Sequence, residues 1–303
     1  MIRARNFFLY FIVLFFAGTL SAQQYPQYSG YMFNRFAINP AYAGNYNTFQ
    51  ATAMIRNQWV GIQNAPNTSS LSFHGTLKNE KVALGFNVFS DAIGFSKTNA
   101  VFGTYAYRLI MPSGTLSFGL RMGVANVSYN WEDVDVKDKV DALLGAGVTN
   151  VSRVLSDAGV YYHNNTFYAG LSATNLIGQG MPTLNYSQLL LPHLFLTAGK
   201  SFSISDNLII NPSVLIKLVQ GAMGIDINCN FLISNKLWLG LSGRIGYGYV
   251  LLMQYNITEK FKIGYAYDLG RNDIGIIGGS SHEIMLGYNF SLFSRKMQSF
   301  RFL

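Results

Sequence analysis

The sequence predicts an all-β fold: a transmembrane antiparallel β-barrel of about fourteen strands, with an N-terminal segment that is periplasmic or plugs the lumen. Three observations predict it. Only 12% of the 303 residues are charged and 50% are hydrophobic, with 30 Gly, 19 Tyr and 23 Phe. A soluble domain is about one quarter charged, so this composition suits a surface that meets lipid. Past the N-terminus, no apolar run approaches the ~18 residues that a membrane helix needs. A chain that meets lipid without such helices must close its strands into a barrel, because an open sheet edge leaves backbone groups unbonded in hydrocarbon. From Thr48 onward the chain is a succession of alternating segments, most near the ~10 residues of a tilted membrane strand.

Residues 1–22 read as a secretory signal that is removed. Arg3 and Arg5 make the charged region, Phe7 to Phe16 the apolar region, and Ser21 and Ala22 close it before Gln23. The net charge then falls from +8 to +6 as Arg3 and Arg5 leave. The expected location is the bacterial outer membrane.

Residues 23–47 have no sustained period. They hold Pro26, Pro40, Gly30 and Gly44 among many Tyr, Phe and Asn. Asn39-Pro40 biases residue 39 away from a helix, and Ala43-Gly44 offers a second break. The residues marked out here as a plug or partner segment are Tyr25, Tyr28, Tyr31, Phe33, Asn34, Asn39, Pro40, Tyr42 and Gly44, with Trp59 further on.

The barrel is expected over residues 48–291. Its strands read as 48–60, 69–77, 82–90, 99–110, 115–130, 156–162, 166–175, 194–204, 208–219, 223–233, 237–246, 249–257, 261–268 and 282–291. In the first, Phe49, Ala51, Ala53 and Ile55 share one face, and Thr52, Arg56 and Gln58 the other, with Met54 as an exception. In the fifth, Leu116, Phe118, Leu120, Met122 and Val124 oppose Ser117, Gly119, Arg121 and Gly123. Apolar residues facing out and polar residues or glycine facing in is the barrel pattern. The same parity puts Cys229 on the lipid face with Ile225, Ile227 and Phe231.

Links 78–81, 111–114, 163–165, 205–207, 234–236 and 258–260 are short, and links 131–155, 176–193 and 269–281 are long. Short turns belong on the periplasmic side and long loops outside. Two outer links, near Gln220 and Gly248, are short and break the rule locally. An even strand count puts residues 23–47 and the basic tail 292–303 on the periplasmic side. The charge run Glu132 to Asp141 reads as a solvated outer loop.

Nothing in the chain demands catalysis, a metal or a cofactor. There is one cysteine, so no internal disulfide forms. His74, His163, His193 and His282 sit in no motif of a hydrolase or metalloenzyme. His282 and Glu283 are adjacent in a strand and point to opposite faces, so they form no dyad. The scattered basic residues offer no nucleic-acid groove. The ionisable groups facing inward by parity are Arg56, Arg108, Arg121, Lys217, Arg244 and Lys262, with Asp226, Asp268 and Glu283. They read either as a lumen that neutralises itself or as a charged vestibule that selects solutes or docks part of a partner.

Several blocks resemble the PorP/SprF family: Gln24 to Asn34, Asn39 to Gly44, and Arg56 to Ile62 followed by Ala65-Pro66. Asp91 to Gly94 after the third strand, Gly264 to Asp268 and Ser281 to Tyr288 resemble it too. The blocks run in family order across nearly the whole mature chain. The resemblance implies an outer-membrane barrel of Bacteroidetes-type bacteria, associated with type IX secretion and gliding motility. It implies a part in secreting or attaching particular cargo such as an adhesin, and, in some members, contact with a periplasmic peptidoglycan-associated lipoprotein. It brings no catalytic residues. The alternative is a passive outer-membrane pore for small solutes.

Overall fold

The computed structural model describes residues 26–46, 48–133, 147–177, 180–183, 186–189 and 191–290. The proposed signal, Tyr25, residues 134–141 of the charge run and the tail 292–303 lie outside them. The strands are β1 (Phe49–Asn57), β2 (Asn67–Thr76), β3 (Val82–Ile93), β4 (Ser96–Met111), β5 (Gly114–Asn130) and β6 (Val148–His163). Then come β7 (Phe167–Thr174), β8 (Gly180–Thr183), β9 (Tyr186–Leu189), β10 (His193–Lys200), β11 (Phe202–Ser205) and β12 (Leu208–Val219). The last are β13 (Ala222–Ile233), β14 (Leu237–Arg244), β15 (Gly248–Asn256), β16 (Phe261–Gly270) and β17 (Ser281–Phe290).

Each wall strand pairs antiparallel with its sequence neighbours, β1 pairs with β17, and β10 pairs with both β7 and β12, so the sheet closes on itself. β10 and β11 are two parts of one wall strand interrupted at Ser201, and with that interruption counted once the barrel has 14 strands. β8 and β9 form a separate hairpin in the outer link after β7.

The alternation holds through the wall. Leu120, Met122 and Val124 are exposed on the outside while Ser117, Arg121 and Ala125 are buried inside. Asp226, Asn228 and Asn230 point inward and Ile227 outward, which leaves Cys229 half-buried on the outer face. Met54 breaks the pattern because the lumen is not water there. Its side chain is buried against the N-terminal segment, and its Sδ lies 3.4 Å from Asn34 Nδ2.

Three sequence expectations are corrected. β6 starts at Val148 and not at residue 156, so the loop expected over 131–155 is shorter. Asn150 and Ser152 sit on the outward face of that stretch and are exposed, so it lacks a lipid-facing pattern. β3 runs on to Ile93 and β4 begins at Ser96, which makes a tight third short outer link around Gly94 at φ +58°. The Asp91 to Gly94 block therefore ends a strand and does not follow one. Link 269–281 holds a short helix, Asp273–Gly278, whose N-cap Asn272 accepts from Gly275 N–H. Residues 194–204 form the one wall strand expected, broken at Ser201 into β10 and β11.

The sequence leaves the N-terminal segment as either periplasmic or lumen-plugging. Pro26–Tyr46 is threaded through the lumen. Pro26, Gln27 and Tyr28 line the opening at the long-link end, beside Trp59 and Tyr247. Asn45 and Tyr46 reach the short-turn end, beside Met111–Thr115 and His163–Thr166. With long links outside, the segment runs from the outer mouth to the periplasmic mouth and then turns into β1. Two 3₁₀ turns, Arg35–Ala37 and Pro40–Tyr42, make it compact enough to fit, and the Asn39 side chain caps the second by accepting from Ala41 N–H at 2.9 Å.

Candidate functional site: the filled lumen and its latch

What fills a barrel interior decides what it does. Here the N-terminal segment supplies much of the filling. Tyr28, Tyr31, Met32, Ala37 and Ile38 pack with Met54, Phe195, Leu215, Val250, Leu252 and Met285. Phe36, Ala41, Tyr42 and Tyr46 pack with Tyr161, Tyr168, Leu232 and Trp238 lower in the lumen.

Near the outer mouth, six charged side chains, from β1, β12, β13, β14, β16 and β17, meet around Ser29 and Gly30. Arg56 reaches Asp268 at 2.7 Å and Glu283 at 3.5 Å. Arg244 reaches Asp268 at 3.1 Å and Asp226 at 3.4 Å, and Lys217 reaches Asp226 at 2.9 Å. Three cations face three carboxylates, so the ring is neutral. Buried charges persist when paired and further hydrogen-bonded, and the segment supplies those bonds. Ser29 N–H donates to Glu283 Oε2 at 2.7 Å and Gly30 N–H to Oε1 at 2.8 Å. Ser29 Oγ donates to Asp268 at 2.7 Å and accepts from Arg244 at 3.0 Å and from Arg56. Charge-assisted bonds therefore tie one dipeptide to the ring. We call this arrangement the latch.

Below it, Tyr31 Oη accepts from Asn228, and Asn34 Nδ2 donates to Ser72 Oγ at 3.2 Å. Arg121, paired with Asp157 at 2.6 Å, donates to the carbonyls of Phe36 at 3.2 Å and Ala37 at 3.3 Å. Ser172 Oγ donates to Ile38 O at 2.7 Å, and Asn39 Nδ2 to Val160 O at 3.1 Å. These bonds satisfy backbone groups that an irregular segment would otherwise bury unpaired. The wall is thinned to admit the turn at Pro40. A Cβ on Gly119 would stand 2.3 Å from Ala41 N, and one on Gly159 2.2 Å from Asn39 Oδ1. Toward the periplasm, the Arg35 guanidinium lies 3.9 Å over the Tyr168 ring, and His74 Nδ1 accepts from Gly44 N–H at 3.1 Å.

All nine inward charges expected from parity lie inside the barrel, but they do not form one site. Arg56, Lys217, Asp226, Arg244, Asp268 and Glu283 build the latch. Arg121 stands apart in mid-lumen. Arg108 donates to Glu80 O at 2.9 Å and so holds the β2–β3 turn. Lys262 is buried near the periplasmic end, with its stem where a Cβ on Gly287 would lie. Of the segment residues, Tyr28, Tyr31, Phe33, Asn34, Asn39, Pro40, Tyr42 and Gly44 are in the lumen. Trp59 is not; it sits in the outer link after β1, where its N–H donates to Ser281 Oγ at 3.1 Å.

Sequence reasoning missed Ser29, Arg35, Asp157 and His74. Ser29 has no signal of its own. Asp157 had one: it lies within the expected strand 156–162, and parity with the buried Tyr161 would have put it on the inner face. Among the described residues no three His, Cys, Asp or Glu side chains converge as metal ligands. His282 pairs with Tyr265 Oη at 2.6 Å on the outer face, away from Glu283.

A family model described as type IX secretion system membrane protein PorP/SprF matches residues 20–288. No curated protein matches the sequence. Among solved structures, the outer membrane protein Omp33 of Acinetobacter baumannii shares 12% identity at a TM-score of 0.48, over 82% of this chain and all of that one. The toluene transporter TodX of Pseudomonas putida shares 11% at 0.48, over 85% and 93%. A KdgM porin in complex with disordered oligogalacturonate shares 10% at 0.41, over 80% and 99%. Likeness at this level says nothing about what this chain carries.

Proposed function

The chain belongs to the PorP/SprF family of type IX secretion system membrane proteins, and from that premise we propose that it is a non-catalytic partner of specific secreted cargo and not a solute pore. The observation that carries this reading is the filled lumen: a folded segment, fixed by the latch and by Arg121, occupies the path a solute would take. A barrel whose interior is packed with side chains is a scaffold, and binding on a scaffold belongs to its ends.

The two ends offer different surfaces. Outside, β4, β5 and β6 are 16, 17 and 16 residues long, while the other wall strands have 12 or fewer, so one side of the wall stands taller. At ~3.3 Å per residue, the extra length clears the membrane, and a secreted adhesin-like cargo would meet this side. Toward the periplasm, a polar cavity of about 590 Å³ lies between Tyr46, Ser113 and the Asn164–Thr166 turn. It is the surface we assign to machinery in the periplasm, such as a peptidoglycan-associated lipoprotein.

Deleting the gene should strip one or a few proteins from the cell surface and leave other type IX export intact. Quantitative proteomics of surface and medium fractions checks this. An unchanged surface proteome ends the cargo reading.

A further inference from the structure

The outer mouth holds a cavity that the proposed scaffold role does not use, with part of the latch on its wall. It has a volume of about 330 Å³, within the lower range of small-ligand sites. It opens where the wall is lowest, beside the short β12–β13 and β14–β15 links, opposite the tall strands β4–β6. Its sides are Phe195, Leu215, Val219, Ile225 and Tyr247, with Trp59 at the edge. Its charged groups are the outer limb of the latch, Lys217, Asp226 and Arg244, and Gln27, Gln58 and His193 also line it. There the Lys217 side chain is 18% exposed, whereas the other five latch side chains are 6% exposed or less. Asp226 lies beneath Lys217 and Arg244 and is itself 3% exposed. The accessible charge in the cavity is therefore positive, although the latch as a whole is neutral.

A largely apolar chamber with one accessible ammonium on its wall is complementary to a carboxylate next to an apolar side chain. We propose that this cavity binds the C-terminal end of a polypeptide arriving from outside, its carboxylate on Lys217 and its last apolar side chain between Phe195, Val219 and Tyr247. The site deepens the cargo reading and rests on it for the source of the peptide. The binding itself does not, because it needs only this protein.

The test uses purified full-length protein in detergent, with Trp59 fluorescence as the signal. N-acetyl-phenylalanine should give a saturable change. N-acetyl-phenylalaninamide, which lacks the carboxylate, should bind about tenfold more weakly. Lys217→Met should erase that difference, Trp59→Phe should erase the signal, and Val219→Trp, which fills the cavity away from the latch, should abolish binding of both probes. Equal binding of acid and amide overturns the proposal, as does a Lys217→Met protein with undiminished preference for the acid. A response to decanoate with none to N-acetyl-phenylalanine would assign the cavity to lipid and also overturn it. If the surface proteome of the deletion strain proves unchanged while the acid binds as described, the cargo reading fails and the site stands.

Discussion

At the scale of single residues, the lumen depends on places where a side chain is missing as much as on those where one is present. Gly119 faces the lumen on β5 and touches the backbone of Pro40 and Ala41. Gly119→Leu should drive that turn away from the wall. Overpacking of this kind costs about 1–3 kcal/mol, read as a lower unfolding temperature in detergent. Gly103→Leu on β4 is the control, because nothing lies within 4 Å of its Cβ position, and it should leave the melting temperature unchanged. A Gly119→Leu protein as stable as the control would show that the segment does not press on this wall. The latch was only half legible at this scale. Alternation exposed its six charges, since charge survives cheaply only on the inner face. It could not show that Ser29 and Gly30 unite them, because an irregular segment has no period from which to read a direction.

At the scale of elements, register governs everything. The walls were legible because lipid enforces strict alternation, and β5 or β14 could be read residue by residue. β6 was misread where lipid stops enforcing it, above the membrane. Cys229 offers a direct check. A lipid-soluble maleimide should label it in intact membranes and a charged one should not; efficient labelling by the charged reagent would mean that β13 is shifted by one residue, which inverts every side chain in the strand. The direction of the threaded segment is a second check. In a Cys229→Ser background, Gln27→Cys should react with an impermeant maleimide added to whole cells, while Asn45→Cys should react only when the periplasm is opened. The reverse pattern would turn the segment, or the barrel, upside down.

At the scale of the whole molecule, the packed lumen predicts electrical silence. Planar-bilayer recordings of the intact protein should show little or no steady conductance, and Gly119→Leu, by loosening the segment, should raise it. Large stable conductance from the intact protein would favour the passive pore instead. The position of the latch has a further consequence, for assembly. Arg56 on β1 and Glu283 on β17 are register partners, so the latch straddles the seam where the first wall strand meets the last. Ser29 and Gly30 bind Glu283 across 254 and 253 positions of sequence. A segment that crosses the whole lumen and is covalently joined to β1 is hard to insert into a cylinder already shut. The order of events follows: the segment is laid down against the curling sheet first, and the seam is stapled over it last, so that the last step in closing the wall also ties down its contents.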